Sequence, residues 1–143
     1  MKATLVITGL PEIYAALRTL TPAAAAEAAA LLETRATAAA EHIRDAYPQA
    51  GSVYVGKRGR RYVRKGGLAA KVRVDQKETS RAGASIRIVS AAPHAHLYEF
   101  GTARGGRAHP TFVPEVQRAR KLVLADQVVL LERQGFTVSG GLI

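Results

Sequence analysis

The sequence predicts an α+β fold: an antiparallel β-sheet of about four to five strands packed against a long helix in the N-terminal half and a C-terminal helix. Three observations point there. Residues 22–46 are rich in alanine, with Ala28, Leu32, Ala39, Ile43 and Ala46 recurring at three- and four-residue steps. From Ser52 to Val89 the apolar period changes to two, and basic, glycine-containing turns interrupt it. After Pro114 the helical period returns for about twenty residues. Helices and strands thus come in separate runs rather than in βαβ alternation.

Each element has its own signals. Lys2 to Thr8 is a short β-type run stopped by Gly9, and Pro11-Glu12 opens a short helix, "PEIYAALRTL". Thr21 is placed to cap the long helix with Pro22 at its first position, and Pro48 sets its end. The strand candidates are "SVYVG", "RYVRK", "AAKVRVDQ", "ASIRIVS" and "PHAHLYEF", with "GKRGR", "GG" and "KETSRAG" as the turns of a meander. "PEVQRARKLVLADQVVLLERQ" is a second long helix, begun by Pro114 and Glu115 and ended by Gly135; "FTVSGGLI" is a tail or short strand. No internal repeat or boundary divides residues 1–143, so they read as one domain.

Composition excludes several classes of function. There is no cysteine, which removes disulfide scaffolds, thiolate metal sites and thiol catalysis. No apolar run is long enough for a membrane span, and the N-terminal apolar patch is too brief for a signal peptide. A formal net charge of +10 favours polyanions or acidic protein surfaces as partners. No nucleophile elbow, phosphate-binding glycine loop or metalloprotease helix motif is present, and acids are scattered, so no catalytic residue and no cofactor is assigned. His94, His96 and His109 could in principle hold a transition metal, but no carboxylate is placed to join them.

Two stretches remain as candidate sites. "GKRGRRYVRKGG" sets Lys57, Arg58, Arg60, Arg61, Arg64 and Lys65 beside Tyr54 and Tyr62, with Gly59 at a hairpin turn. Such a tip suits either phosphates and bases or an acidic protein surface. The second stretch is "LYEFGTARGGRAHPTFVPEV". Read as a strand, it puts Tyr98 and Phe100 on the packed face and Glu99 on the other, either as an exposed acid or paired with an arginine within the subunit or across an interface. Gly101 supplies positive φ, Thr102 bonds nearby backbone, and a loop carrying Arg104 and Arg107 is free to move. Pro110 and Pro114 hold the chain extended around Phe112, which serves either as a core anchor or as an anchor in a partner's pocket.

The order Glu99-Phe100-Gly101-Thr102, a variable loop, then Pro110, Phe112 and Pro114 opening a C-terminal helix resembles the head–tail joining, or tail-completion, proteins of long-tailed bacteriophages and prophages. The N-terminal "ITGLPEIYAALRTL" and the long helix ending near a proline are similar to that family as well. The chain departs from the pattern at "YPQAGS", which lacks the Thr of the family's Thr-Gly. The comparable Gly67-Leu68 comes later, so that residues 52–66 read as an inserted basic hairpin. The resemblance implies a structural virion protein of the neck or tail, found in the host cytoplasm during assembly, that forms homo-oligomeric rings and contacts other neck and tail proteins. DNA in the lumen is an expected contact, and no small-molecule substrate, membrane or cofactor is implied. The assembly interface it implies comprises Glu99, Phe100, Gly101, Thr102, Arg104, Arg107, Pro110, Phe112 and Pro114. A free-standing nucleic-acid-binding module acting through the hairpin is the alternative.

Overall fold

A computed structural model describes residues 2–4, 22–49, 53–63, 67–80 and 83–135. The fold is α+β, with two long helices and antiparallel strands. Helix α1 spans Pro22–Ala46, the range that alanine content and the two prolines predict. Its buried residues, Ala24, Ala28, Leu32, Ala36, Ala39, Ala40 and Ile43, form one stripe at three- and four-residue spacing. The alanines contribute little area but allow close approach. Leu32 and Ile43 supply the bulk, about 1.5–3 kcal/mol each for full burial.

Helix α3, Phe112–Arg133, runs antiparallel to α1. The cross-links show the direction, because Glu27 meets Arg133, Arg35 meets Asp126 and His42 meets Glu115. Arg35 holds Asp126 with two bonds, Nε to Oδ2 at 2.7 Å and Nη2 to Oδ1 at 3.0 Å. Between these rows the buried Gln127 donates from Nε2 to the carbonyl of Ala28. One core cluster joins the C-terminal half of α1 to the sheet and to Phe112, Val116, Ala119 and Val123 of α3. A smaller one, Ala24, Ala28, Leu130 and Leu131, closes the far end of the helix pair.

Among the described residues the strands number five but do not make one sheet. β1 (Lys2–Thr4), β5 (Gly83–Ser90) and β4 (Val72–Ser80) form a three-stranded antiparallel sheet in the order β1-β5-β4. β2 (Val53–Val55) and β3 (Arg61–Val63) form a separate two-stranded hairpin. The expected single sheet of four to five strands is thereby corrected. In the larger sheet Ile86, Ile88 and Ser90 alternate toward the helices, and Val72 and Val74 pair with Ser90 and Ile88 on the same face.

Three local expectations also change. "KETS", read as turn, completes β4, which passes a bulge between Asp75 and Lys77 and reaches Ser80. "AAK", read as the start of a strand, is a 3-10 turn, Ala69–Lys71. "PHAHLYEF", read as a fifth strand, contains helix α2, Ala95–Phe100. Its buried positions are Ala95 and Glu99, four apart, with Tyr98 packed against the core beside them. That spacing is helical, and the face assignment made for a strand is reversed, since Phe100 is 65% exposed and Glu99 only 1%. The expected helix at 11–20, the Thr21 cap and the C-terminal tail lie outside the described residues. No helix among the described residues is long and apolar enough to cross a membrane.

Candidate functional site

The passage around Glu99 is a corner that turns α2 back into α3. Among the described residues Glu99 meets no arginine. Its Oε1 accepts the backbone N–H of Phe112 at 2.7 Å and the hydroxyl of Tyr47 at 3.2 Å, and its Oε2 accepts the N–H of Thr111 at 2.9 Å. The arginine bridge expected from the sequence is replaced by a helix cap supplied from twelve residues upstream. The physical reason is that α3 begins inside the protein. The first N–H groups of a helix have no intrahelical partner, and here water does not reach Phe112. A carboxylate satisfies two of those donors and complements the positive end of the helix dipole. Thr111, the N-cap residue, makes no side-chain cap bond; its hydroxyl donates to the His109 carbonyl. Helix α3 accordingly starts at Phe112, two residues before Pro114. Pro114 sits in the first turn, where a missing N–H costs nothing.

Tyr47, just past the last residue of α1, is the partner that sequence reasoning missed. It is 1% exposed and meets Tyr98 edge to face, with centroids 5.5 Å apart. Tyr98 in turn stacks on His109 at 5.0 Å, and the His109 N–H donates to the Tyr98 carbonyl. Burial pushes the Tyr47 phenol up from 10.0 to about 12. The neighbouring Ser90 hydroxyl pulls it down, and the Glu99 carboxylate adds to the rise. Ser90 Oγ lies near that phenol yet meets no partner with hydrogen-bond geometry. The available signal was the spacing of Ala95 and Glu99, which marks an inward-facing acid once the segment is read as a helix.

Gly101 ends α2 with φ 80° and ψ −175°, and a Cβ there would meet the Gly106 carbonyl at 2.6 Å. Beyond it the loop is closed rather than free. Thr102 N–H donates to Gly106 O, Gly105 N–H to Thr102 O, and Gly106 N–H to Thr102 Oγ1 at 2.8 Å. On this tight loop Arg104 and Arg107 are exposed, as are Pro110 and Pro114. Phe112 is fully buried in the core cluster. Of the two roles open to it from sequence, the isolated chain uses that of core anchor.

The structure brings the loop against the basic hairpin. Lys57 Nζ donates to the Arg104 carbonyl at 3.1 Å, so the two basic segments form one surface. The hairpin turns at Gly59, with φ 72°, and Gly56 and Arg60 close it. Lys57, Arg58, Arg60 and Arg61 are exposed at or next to its tip, and no ion pair among the described residues reaches Arg58, Arg60, Arg61, Arg104 or Arg107. The hairpin also exposes Val53 (49%), Val55 (66%) and Tyr62 (45%), with Phe100 and Leu97 exposed on α2. Arg64 and Lys65 lie outside the described residues.

His94 and His96 are exposed at the start of α2, while His109 is occupied by Tyr98. Among the described residues no three His, Asp or Glu side chains gather as a metal site. The arrangement sets exposed cations and exposed aromatic and aliphatic side chains beside a hydrogen-bonded corner. Comparison with protein-family models, with curated proteins and with solved structures finds no match for the chain.

Proposed function

We propose that the protein is a structural subunit of a bacteriophage neck or tail, acting in head–tail joining or tail completion through ring assembly and protein–protein contacts. The reading rests on the resemblance carried by Glu99-Phe100-Gly101-Thr102, Pro110, Phe112 and Pro114. The observation that supports it best is the division of labour within that motif. Glu99, Gly101 and Phe112 build a fixed corner, and Phe100, Thr102, Arg104, Arg107 and Pro110 are displayed on it. A ring subunit needs such a corner, because contacts repeated around a closed ring reinforce one another only if each is presented in the same geometry. The hairpin of residues 53–63 fits an inserted assembly arm on this frame. The proposed setting is the virion and, during assembly, the host cytoplasm, with no substrate turned over.

The test is co-assembly. Purified protein mixed with neck and tail proteins of a long-tailed phage is expected to co-sediment with tails and to appear as a ring at the tail end in electron micrographs. Failure to join tails or rings under any assembly condition overturns the reading.

A second reading is favoured by one observation, the junction of Lys57 with the Arg104 loop, which widens the basic surface beside Tyr62. A nucleic-acid-binding module would use that surface. It predicts binding that falls steeply with salt and is lost when Arg58, Arg60 and Arg61 are neutralised.

A further inference from the structure

The chain is electrically lopsided, and its two ends are complementary. The hairpin and the loop beside it, residues 53–63 and 100–111, contain no acid. Helix α1 carries Glu27, Glu33, Glu41 and Asp45. Its arginines face elsewhere, Arg35 to Asp126 on α3 and Arg44 to the Val72 carbonyl of β4. Glu41 and Asp45 join no ion pair among the described residues. On the side of α1 away from α3, two shallow depressions meet at Ala30 and Glu33. One, of about 500 Å³, is floored by Thr34, Thr37 and Ala38 and bordered by Glu41. The other, of about 380 Å³, lies between α1 and the β4–β5 hairpin and is bordered by Glu78. Together their described lining makes a shallow, open trough of small side chains, alanines and threonines, flanked by Glu33, Glu41 and Glu78.

The arm has the opposite character. Two isolated strands are marginal in water, and these leave Val53, Val55 and Tyr62 about half exposed or more. Their tip is cationic. Nucleic acid would satisfy the cations but leave the valines wet. A trough with a small-residue floor and an acidic rim takes both.

We infer that the hairpin arm of one copy docks into the acidic trough on α1 of a second copy. The trough lies along the middle of α1 and the start of β5, whereas the Lys57–Arg104 bond fastens the arm at the other end, beside the loop that follows α2. A chain whose knob and hole sit on different faces associates head to tail, and such contacts generate rings when the rotation closes. The inference deepens the ring-assembly reading given above and rests on it for its biological setting, but it stands or fails on its own contact.

The experiment uses two charge-reversed chains, one with Arg58→Glu and Arg60→Glu, the other with Glu41→Lys and Glu78→Lys. Sedimentation velocity of nuclease-treated protein is expected to show the unaltered chain self-associating, less so as salt rises, and each reversed chain weakened at least about tenfold. Mixing the two reversed chains is the sharper step. The unaltered arm of one meets the unaltered trough of the other, and the two reversed faces are again opposite in charge, so mixing should restore the association that neither reversed chain shows alone. Because the chain has no cysteine, single-cysteine chains provide a second measurement without altering any acid. Arg60→Cys and Thr37→Cys chains, mixed under oxidation, are expected to form a disulfide-linked dimer in preference to either alone. The inference is overturned if both reversed chains associate like the unaltered one, if folded reversed chains fail to pair on mixing, if association disappears with nuclease, or if the cysteine chains do not cross-link selectively. Rings that form on tails from either reversed chain would refute this contact and leave the neck reading intact. Arm-to-trough pairing by a chain that never joins tails would do the reverse.

Discussion

Glu99 and Phe100 are neighbours in the chain with opposite fates, and they divide the molecule into two regions. Glu99 belongs to a corner in which three donors converge on one carboxylate and Phe112 is sealed beneath it. Phe100 opens the other region, continued by Arg104, Arg107 and the hairpin, where charge and apolar area remain in water. In the corner, interaction energy has been used to fix the shape of one chain. At the arm it remains available for something else. A binding surface mounted on a rigid corner loses less entropy on docking than one that must first be ordered.

The harshest way to break this comparison is at the corner. Glu99→Ala strands the Thr111 and Phe112 N–H groups and the Tyr47 hydroxyl around a cavity. With a buried orphan costing about 1–3 kcal/mol, a loss of about 3–5 kcal/mol is expected, read as a fall in the urea midpoint. That is a large share of the roughly 5–15 kcal/mol that holds an ordinary domain together. Glu99→Gln keeps one acceptor oxygen but turns amide hydrogens toward backbone N–H groups, and an intermediate loss is expected. Phe112→Ala should cost a similar amount, about 3–5 kcal/mol, through the cavity it leaves. If Phe112 served only a partner, the isolated chain would not register the change.

Next in size is a pH effect at Tyr47. Its folded-state pKa is raised from 10.0 to about 12, so the folded chain holds this proton more tightly than the unfolded one. The contribution is therefore complete below pH 10, declines as pH rises toward 12, and amounts to about 2–3 kcal/mol across that window. Thermal melts of the native chain and of Tyr47→Phe, compared over this range, isolate the effect from lysine titration. The native chain should lose stability relative to the variant as the phenol ionises.

Gly101→Ala tests the hinge between the two regions. The added Cβ meets a carbonyl oxygen at 2.6 Å with φ at 80°, and a cost of about 1–3 kcal/mol is expected. The loop bearing Arg104 should shift with it, weakening the Lys57–Arg104 contact. A chemical-shift map that stays unchanged in residues 102–107 would show that the hinge does not set the loop.

Much of this architecture was legible. Helix α1 was readable to the residue because alanine propensity, one apolar stripe and two prolines agree. The hairpin was readable from "GKRGR" between two β-type runs. What misled was the corner. Over a few residues "HAHLYEF" fits a strand period and a helix period equally well, and an acid among aromatics reads as the solvent side. Glu99 is inside because of a helix that begins thirteen residues later, and no local rule contains that fact. The same gap hid the start of α3, whose cap comes from Glu99 rather than from Thr111. Tyr47 passed unnoticed because its partner lies fifty-two positions away. The polar "KETS" became strand for another tertiary reason, since pairing with Gly83–Ile86 outweighs weak propensity.

The smallest expected effect distinguishes the two regions best. Replacing Arg58, Arg60 and Arg61 together with serine should alter the stability of the isolated chain by no more than about 0.5 kcal/mol per site, because each is exposed and none joins an ion pair among the described residues. Relief of like-charge repulsion at the tip could make the net change slightly favourable. The melting curve should overlay that of the unaltered chain while association is lost. This is the opposite of Glu99→Ala, where folding suffers first and any loss of association follows from it. A marked drop in stability on removing the three arginines would mean that the arm is bound into its own subunit, and the division between frame and binding surface would then be drawn in the wrong place.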